Sequence, residues 1–192
     1  MTDIKSEMLD TIQTGQDFLG NLQVVSRLDK ARFFKFLTAL WLSKKGYSPN
    51  FEVEVGRYCE RRADIVGVGC HSLIFVEVKS SKADFNTDKK WHEYLSMCDK
   101  FYFVSDRKVI EHIRSKIETL PYQDKVGLLE VDLETACIKV VKPAKSCGKV
   151  GLFDFQQTLY RCIVAGCQFS RGKYIAQRTE VNSFQSEDYA TL

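Results

Sequence analysis

Two kinds of apolar run alternate along this chain, and their order predicts most of its elements. The stretch "SRLDKARFFKFLTALWLSKKGY" places Phe33, Leu37, Leu40 and Trp41 at i, i+4, i+7 and i+8, the stripe of an amphipathic helix. Ser26 and Asp29 resemble a capping box with Asp in the acidic position, and Lys44, Lys45 and Gly46 supply stop signals. Three strands are predicted next: the strictly alternating "FEVEV" (51–55), then "RADIVGVG" (62–69) and "SLIFVEVKS" (72–80). The short link at Cys70 and His71 makes the last two a hairpin. "NTDKKWHEYLSMC" reads as a helix with Trp91, Tyr94, Leu95 and Cys98 on one face. "KFYFVS" is a fourth strand, and "DRKVIEHIRSKIETL" a helix burying Val109, Ile110, Ile113 and Ile117 before Pro121 stops it. The strands "VGLLEV" and "ACIKVV" follow, then a helix from about Leu152 to Phe169.

Strands interleaved with helices predict an α/β fold, a mixed sheet covered by helices on both faces. The expected organisation is an arm over 1–25, one domain over 26–178 and a frayed tail over 179–192. With 192 residues, 44% of them hydrophobic, the chain has material for one real core. No internal repeat, low-complexity stretch or glycine-rich phosphate loop interrupts this pattern.

Charge and cysteine content narrow the function classes. The net charge is only +3, too small for the whole-molecule field to drive tight binding to a polyanion. Its distribution is uneven: from Lys139 to Arg178 eight basic residues face the single acid Asp154. That segment reads either as a solvated basic face or as a phosphate-facing surface. The seven cysteines form no Cys-x-x-Cys pair, so free thiols in a reducing compartment are expected rather than a zinc site. No basic-then-apolar leader opens the sequence and no apolar run reaches the roughly 20 residues of a membrane span, so a cytoplasmic protein is expected.

The chemistry concentrates in "LIFVEVKS". Glu77 and Lys79 interrupt a strand fit for a core, and strand alternation points both to one face. Read alone, they form an ion pair at a strand end, with Lys79 snorkelling to water. Asp64 in the preceding strand changes this, because hairpin pairing brings it toward Glu77. Two carboxylates at one sheet edge repel unless a cation lies between them, and a hard divalent ion suits one or two carboxylates plus water and phosphate. Lys79 beside such an ion could orient or deprotonate its water, or offset charge building on a phosphate. Asp, then Glu-x-Lys, on adjacent strands is a phosphodiester hydrolysis site in outline.

The longer string "RRADIV…FVEVKSSKADFNTDKKWHEYLSMCDKFYFVSD" closely resembles the MmcB-like DNA-repair proteins of the PD-(D/E)xK nuclease superfamily. "VGLLEVD", "KVVKPAK" and "LYRCIVAGCQF" also resemble their later segments. The likeness runs over roughly residues 30 to 172 and is strongest from Arg62 to Asp106. It implies a restriction-endonuclease-like sheet and a Mg²⁺-dependent DNA endonuclease, with Mn²⁺ as the alternative ion. Asp64 and Glu77 would be the metal ligands, the Val78 carbonyl a further ligand, and Lys79 the catalytic lysine.

The superfamily often adds a polar residue from the helix after the Glu-x-Lys strand. Lys90 is the candidate here, ahead of Lys89; Asp84 and Asp88 match the family string but serve equally as helix caps. Lys82, Lys89 and Lys90, with the later basic segment, would hold the DNA backbone. Two features depart from the pattern. The first helix offers only Asp29 as an acid, for which Glu54 or Glu52 could substitute, and "GRYCERRAD" carries extra residues before its Asp. His71, His92 and His112 show no ligand or nucleophile spacing. Trp91 and Tyr94 read as core, with base stacking as the alternative. DNA, and with it repair proteins, are the expected partners, and the oligomeric state is open, a homodimer included. The rival reading is a DNA-binding or scaffolding module that keeps the fold without cutting.

Overall fold

Chain order is also sheet order. The computed structural model describes residues 27–166, which form one six-stranded sheet with neighbours β1-β2-β3-β4-β5-β6. The strands are β1 (Ser48–Val55), β2 (Arg61–Val68), β3 (Leu73–Val78), β4 (Lys100–Asp106), β5 (Val126–Asp132) and β6 (Cys137–Lys142). The pairs β1/β2, β2/β3 and β5/β6 are antiparallel, whereas β3/β4 and β4/β5 are parallel. The α/β mixed sheet predicted from the sequence is therefore the architecture observed. The arm over 1–25 and the tail over 179–192 lie outside the described residues, as does Ser26.

Helix α1 (Arg27–Lys44) covers one face of the sheet. Its inward side consists of Phe33, Phe34, Leu37, Thr38 and Leu42, whereas Leu40 is 42% exposed. The stripe is thus rotated from the one the sequence suggests. Thr38 is tolerated in this interior because its hydroxyl donates to Phe34 O at 2.7 Å, within the helix. The helix ends in a Schellman motif: Tyr47 N donates to Leu42 O and Gly46 N to Ser43 O, both at 3.0 Å. Gly46 sits at φ +80, the left-handed conformation this cap requires. Beneath α1 lie Ile65, Ile74, Val76, Val78, Tyr102, Val104, Leu129 and Val131.

The opposite face is covered by α2 (Lys82–Thr87), a 3-10 turn (Trp91–Ser96), α3 (Arg107–Ile117) and a last helix, α4, over 152–166. On α3 all four predicted positions, Val109, Ile110, Ile113 and Ile117, are buried. Their core partners include Phe75, Trp91, Tyr94, Phe101 and Phe103. The predicted single helix over "NTDKKWHEYLSMC" is instead two short pieces broken at Asp88, whose backbone turns extended as the C-cap of α2. Trp91 and Tyr94 still share a face, because residues three apart eclipse in a 3-10 turn.

β3 is the spine of the sheet, buried at all six positions. Leu73 and Phe75 face the α3 side, and Ile74, Val76 and Val78 face α1. β2 alternates less regularly: Ala63 joins the α3-side core, but so does Val66, while Ile65 joins the α1 side. The strand changes face at Asp64. Opposite it on β1, Glu52 adopts φ 53, outside the strand region. Backbone conformations of this kind cost about 1–3 kcal/mol and are held only where neighbours over-determine them.

Candidate active site

The ladder between β2 and β3 runs from Val68↔Leu73 to Ile65↔Val76 and there the strands part. Parting leaves backbone donors that must find acceptors. Two side chains take that role reciprocally. Asp64 N donates to Glu77 Oε1 at 3.2 Å, and Val78 N donates to Asp64 Oδ2 at 2.9 Å. Each carboxylate thereby holds one backbone N–H and turns its second oxygen toward a lysine. Asp64 Oδ1 lies 3.0 Å from Lys35 Nζ, and Glu77 Oε2 lies 3.6 Å from Lys79 Nζ.

Glu77 and Lys79 are only 6% and 4% exposed, so their charges cannot rely on water. Burial, and next the charge of Asp64, push the Glu77 carboxyl up to about 8, with Lys79 opposing the shift. For Lys79 burial acts downward, but Glu77 and Asp88 outweigh it and raise its proton affinity. The ammonium is anchored by Asp88 Oδ2 at 2.6 Å and lies 5.8 Å from the centre of the Phe103 ring. The backbone at Lys79 is pinned as well: its N–H donates to Val104 O at 3.0 Å, and its carbonyl accepts from the Ser105 hydroxyl. Burial acts upward on the Asp88 carboxyl, but Lys79 and backbone N–H donors outweigh it and hold the group low. Tyr94 closes the floor, its hydroxyl donating to Arg62 O at 2.9 Å and its pKa raised by burial and then by Glu77.

Of the residues singled out in the sequence, Asp64, Glu77, Val78 and Lys79 come together at the C-terminal end of β3. Lys90 does not join them: it is exposed at the start of the 3-10 turn, its backbone N–H donating to Asp88 Oδ1 at 3.0 Å. Asp88 is what this segment contributes. Asp84 caps α2 from within, accepting from Ser80 N at 2.8 Å. Lys82 and Lys89 are exposed nearby.

From α1 the site receives a base, Lys35. This side chain also pairs with Glu52, which lies 3.0 Å from Arg62 Nε as well. Burial works against its proton, but Glu52 and Asp64 together raise its pKa. Lys35 was not legible as a site residue, because it lies on the polar flank of a helix that reads as ordinary. Glu52, rather than Glu54, reaches the network. The extra residues of "GRYCERRAD" are absorbed in the β1–β2 hairpin loop, where Tyr58 N donates to Glu60 Oε2 at 2.8 Å.

The later basic residues are largely committed within the chain. Lys139 pairs with Asp132 at 2.5 Å, Lys145 with Asp124 at 2.7 Å, Lys142 donates to Gln123 O at 2.6 Å, and Arg161 donates to Gly56 O. Arg171, Lys173 and Arg178 lie outside the described residues. The six cysteines among the described residues are free thiols. Among the described residues no group of three or more His, Cys, Asp or Glu is placed to hold a metal ion, and no helix is long and apolar enough to cross a membrane.

The fold is recognisable in another protein. A chain described as the SPO1766 protein of unknown function, from Silicibacter pomeroyi, has a similar fold at a TM-score of 0.62. The two are 22% identical, and the similarity covers 80% of this chain and 95% of that one. No curated protein matches the sequence. The family model for DNA repair proteins of the MmcB-like type matches residues 37–143, which takes in β1 to β6 and the whole Asp64–Glu77–Lys79–Asp88 cluster. This chain belongs to the MmcB-like DNA repair protein family.

Proposed function

We propose that the protein is a metal-dependent DNA endonuclease of the PD-(D/E)xK type acting in DNA repair. The observation that carries this reading is the convergence of Asp64, Glu77 and Lys79 at one buried sheet end, with a carboxyl raised to about 8. Two carboxyl groups this close at a buried sheet end suit a hard cation, and their donors are all oxygen. Asp64 and Glu77 would hold Mg²⁺ or Mn²⁺, with the Val78 carbonyl as a further donor. When bound, the ion would supply an activated water and a partner for phosphate charge.

The chain's own residues have separable tasks in this proposal. Lys79 keeps its proton at neutral pH, because the Asp88 carboxylate favours the ammonium there and Glu77 adds to this as it ionises. It therefore acts as a fixed positive charge toward a phosphate oxygen rather than as a base. Asp88 positions that ammonium. Lys35 holds Asp64 in place and offsets its charge. Lys82, Lys89 and Lys90 would steady the DNA backbone.

A second reading has an observation of its own. Lys35 and Lys79 already compensate both carboxylates, as they would in a DNA-binding or scaffolding module that does not cut. The test incubates supercoiled, linear, single-stranded and branched DNA with the protein in Mg²⁺, Mn²⁺ or chelator. Asp64→Asn and Lys79→Met serve as controls; the first keeps an acceptor for Val78 N. Metal-dependent cutting that both substitutions reduce at least a hundredfold supports the endonuclease. Cutting that survives them refutes the site, and salt-sensitive binding without cutting selects the second reading.

A further inference from the structure

Next to Asp88, the surface between α2, the 3-10 turn and α3 opens into a cleft of about 480 Å³. That volume lies within the range of about 300–1,000 Å³ typical of ligand sites. Asp88 belongs to both places: one oxygen anchors Lys79 at 2.6 Å, and the residue lines the cleft. Whatever occupies the cleft therefore lies beside the candidate active site.

The lining combines aromatic surface with unshared positive charge. Trp91 is fixed by stacking on Phe101, their rings 6.0 Å apart and 16° from parallel. Tyr122 stands edge-on to it at 5.8 Å and the exposed His92 at 6.2 Å, and all three residues line the cleft. Across the cleft, His112 is held by Asn86 at 2.9 Å. Lys89 and Lys116 are exposed at the rim and form no salt bridge among the described residues. This contrasts with Lys139 and Lys145, whose charges are spent on Asp132 and Asp124.

Aromatic rings lining one cleft with two lysines that form no salt bridge among the described residues are the chemistry of a nucleotide outside a double helix. Bases in a duplex are stacked on one another and leave no face for a protein ring, whereas an unpaired base can enter a cleft and stack there, with its phosphates on lysines. We infer that this cleft seats an unpaired nucleotide of single-stranded DNA next to the candidate active site. The base lies against Tyr122 and His92, and the backbone runs past Lys89 and Lys116. This inference rests on the proposal that DNA is the substrate, and it specifies which form of DNA the site meets.

The test uses the full chain in chelator, so that nothing is cut, titrated into fluorescein-labelled fifteen-nucleotide single-stranded DNA, the matching duplex and the matching RNA. Single-stranded DNA should bind tightest. The Lys89→Ala/Lys116→Ala variant should weaken that binding at least tenfold and lower the slope of log Kd against log salt by about 1.4, roughly 0.7 for each phosphate no longer neutralised. His92→Ala should weaken it about fivefold or more, the low end for removal of a stacking ring. Duplex or RNA binding as tight as single-stranded DNA overturns the inference. So does an unchanged affinity and slope in the double variant when its thermal unfolding matches that of the parent. Plasmid cutting in Mg²⁺ is scored on the same preparations. Single-strand binding of the expected kind without cutting refutes the nuclease alone, and cutting with an indifferent cleft refutes the cleft alone.

Discussion

Replacing Glu77 by Gln should make the protein more stable, and only above a certain pH. In the folded chain burial and Asp64 raise this carboxyl from 4.5 to about 8. Below pH 4.5 Glu77 is protonated in both folded and unfolded chains and its linkage contribution vanishes. Between 4.5 and about 8 the folded state binds more protons than the unfolded one, so stability falls as pH rises. Above 8 the full cost of the buried charge is present, about 5 kcal/mol as an upper bound from that difference. Gln imitates the neutral acid and keeps an oxygen for the 3.2 Å bond from Asp64 N. Allowing for an amide placed beside the Lys79 ammonium, a gain of about 2–5 kcal/mol at pH 8.5 is expected, roughly 6–15 °C in Tm for a domain of this size. At pH 5 the gain should be close to zero. The assay is thermal unfolding by circular dichroism at both pH values, in chelator. Equal shifts at pH 5 and 8.5, or a loss at 8.5, would refute the picture of a carboxylate held against its own electrostatics. Under the metal proposal, Mg²⁺ should raise the Tm of the parent at pH 8.5 and leave Glu77→Gln unmoved.

Three further outcomes follow from the same geometry. Lys79→Met leaves Glu77 and Asp88 without their shared cation and should cost about 3 kcal/mol near pH 8 in urea unfolding, besides abolishing any cutting. Asp88→Asn removes the negative charge from the 2.6 Å anchor of Lys79, and a loss of about 1–2 kcal/mol at pH 7 is expected. Because Lys79 has a raised folded pKa, its contribution is fully present below 10.5 and fades as pH climbs through the folded value; the Asp88→Asn deficit measured by urea unfolding should shrink there. Gly127→Ala would place a methyl 2.3 Å from the Tyr102 ring and 2.9 Å from Ala144 N, and should cost about 2–3 kcal/mol or more by the same measurement.

Where local pattern decides the outcome, the sequence was a good guide. On α3 the four apolar positions have no competing role, and all are buried. The rotation of α1 was hidden because Thr38 satisfies its hydroxyl on Phe34 O and so passes as core, while Leu40 is apolar yet exposed. The break at Asp88 has a similar origin. Its side chain pairs with Lys79 on another element, and no local periodicity records that pairing. Asp64, Glu77 and Lys79 were readable because strand alternation and a short hairpin together nearly fix their placement. Lys35 was not, since its approach to Asp64 depends on how α1 docks across the sheet.

The coincidence of chain order with sheet order has a consequence for how the protein comes into being. Every strand pairs with its predecessor in sequence, so no pairing waits for a distant segment. The carboxylates, the lysine and its anchor all lie between Asp64 and Asp88, and α1, which brings Lys35, precedes them. Contacts of short sequence separation form early because little chain entropy is lost in closing them. During synthesis, when N-terminal segments emerge first, the charged cluster can gather on the β2–β3 hairpin before β5 and β6 have left the ribosome. The later strands then enclose a site whose parts are already in place.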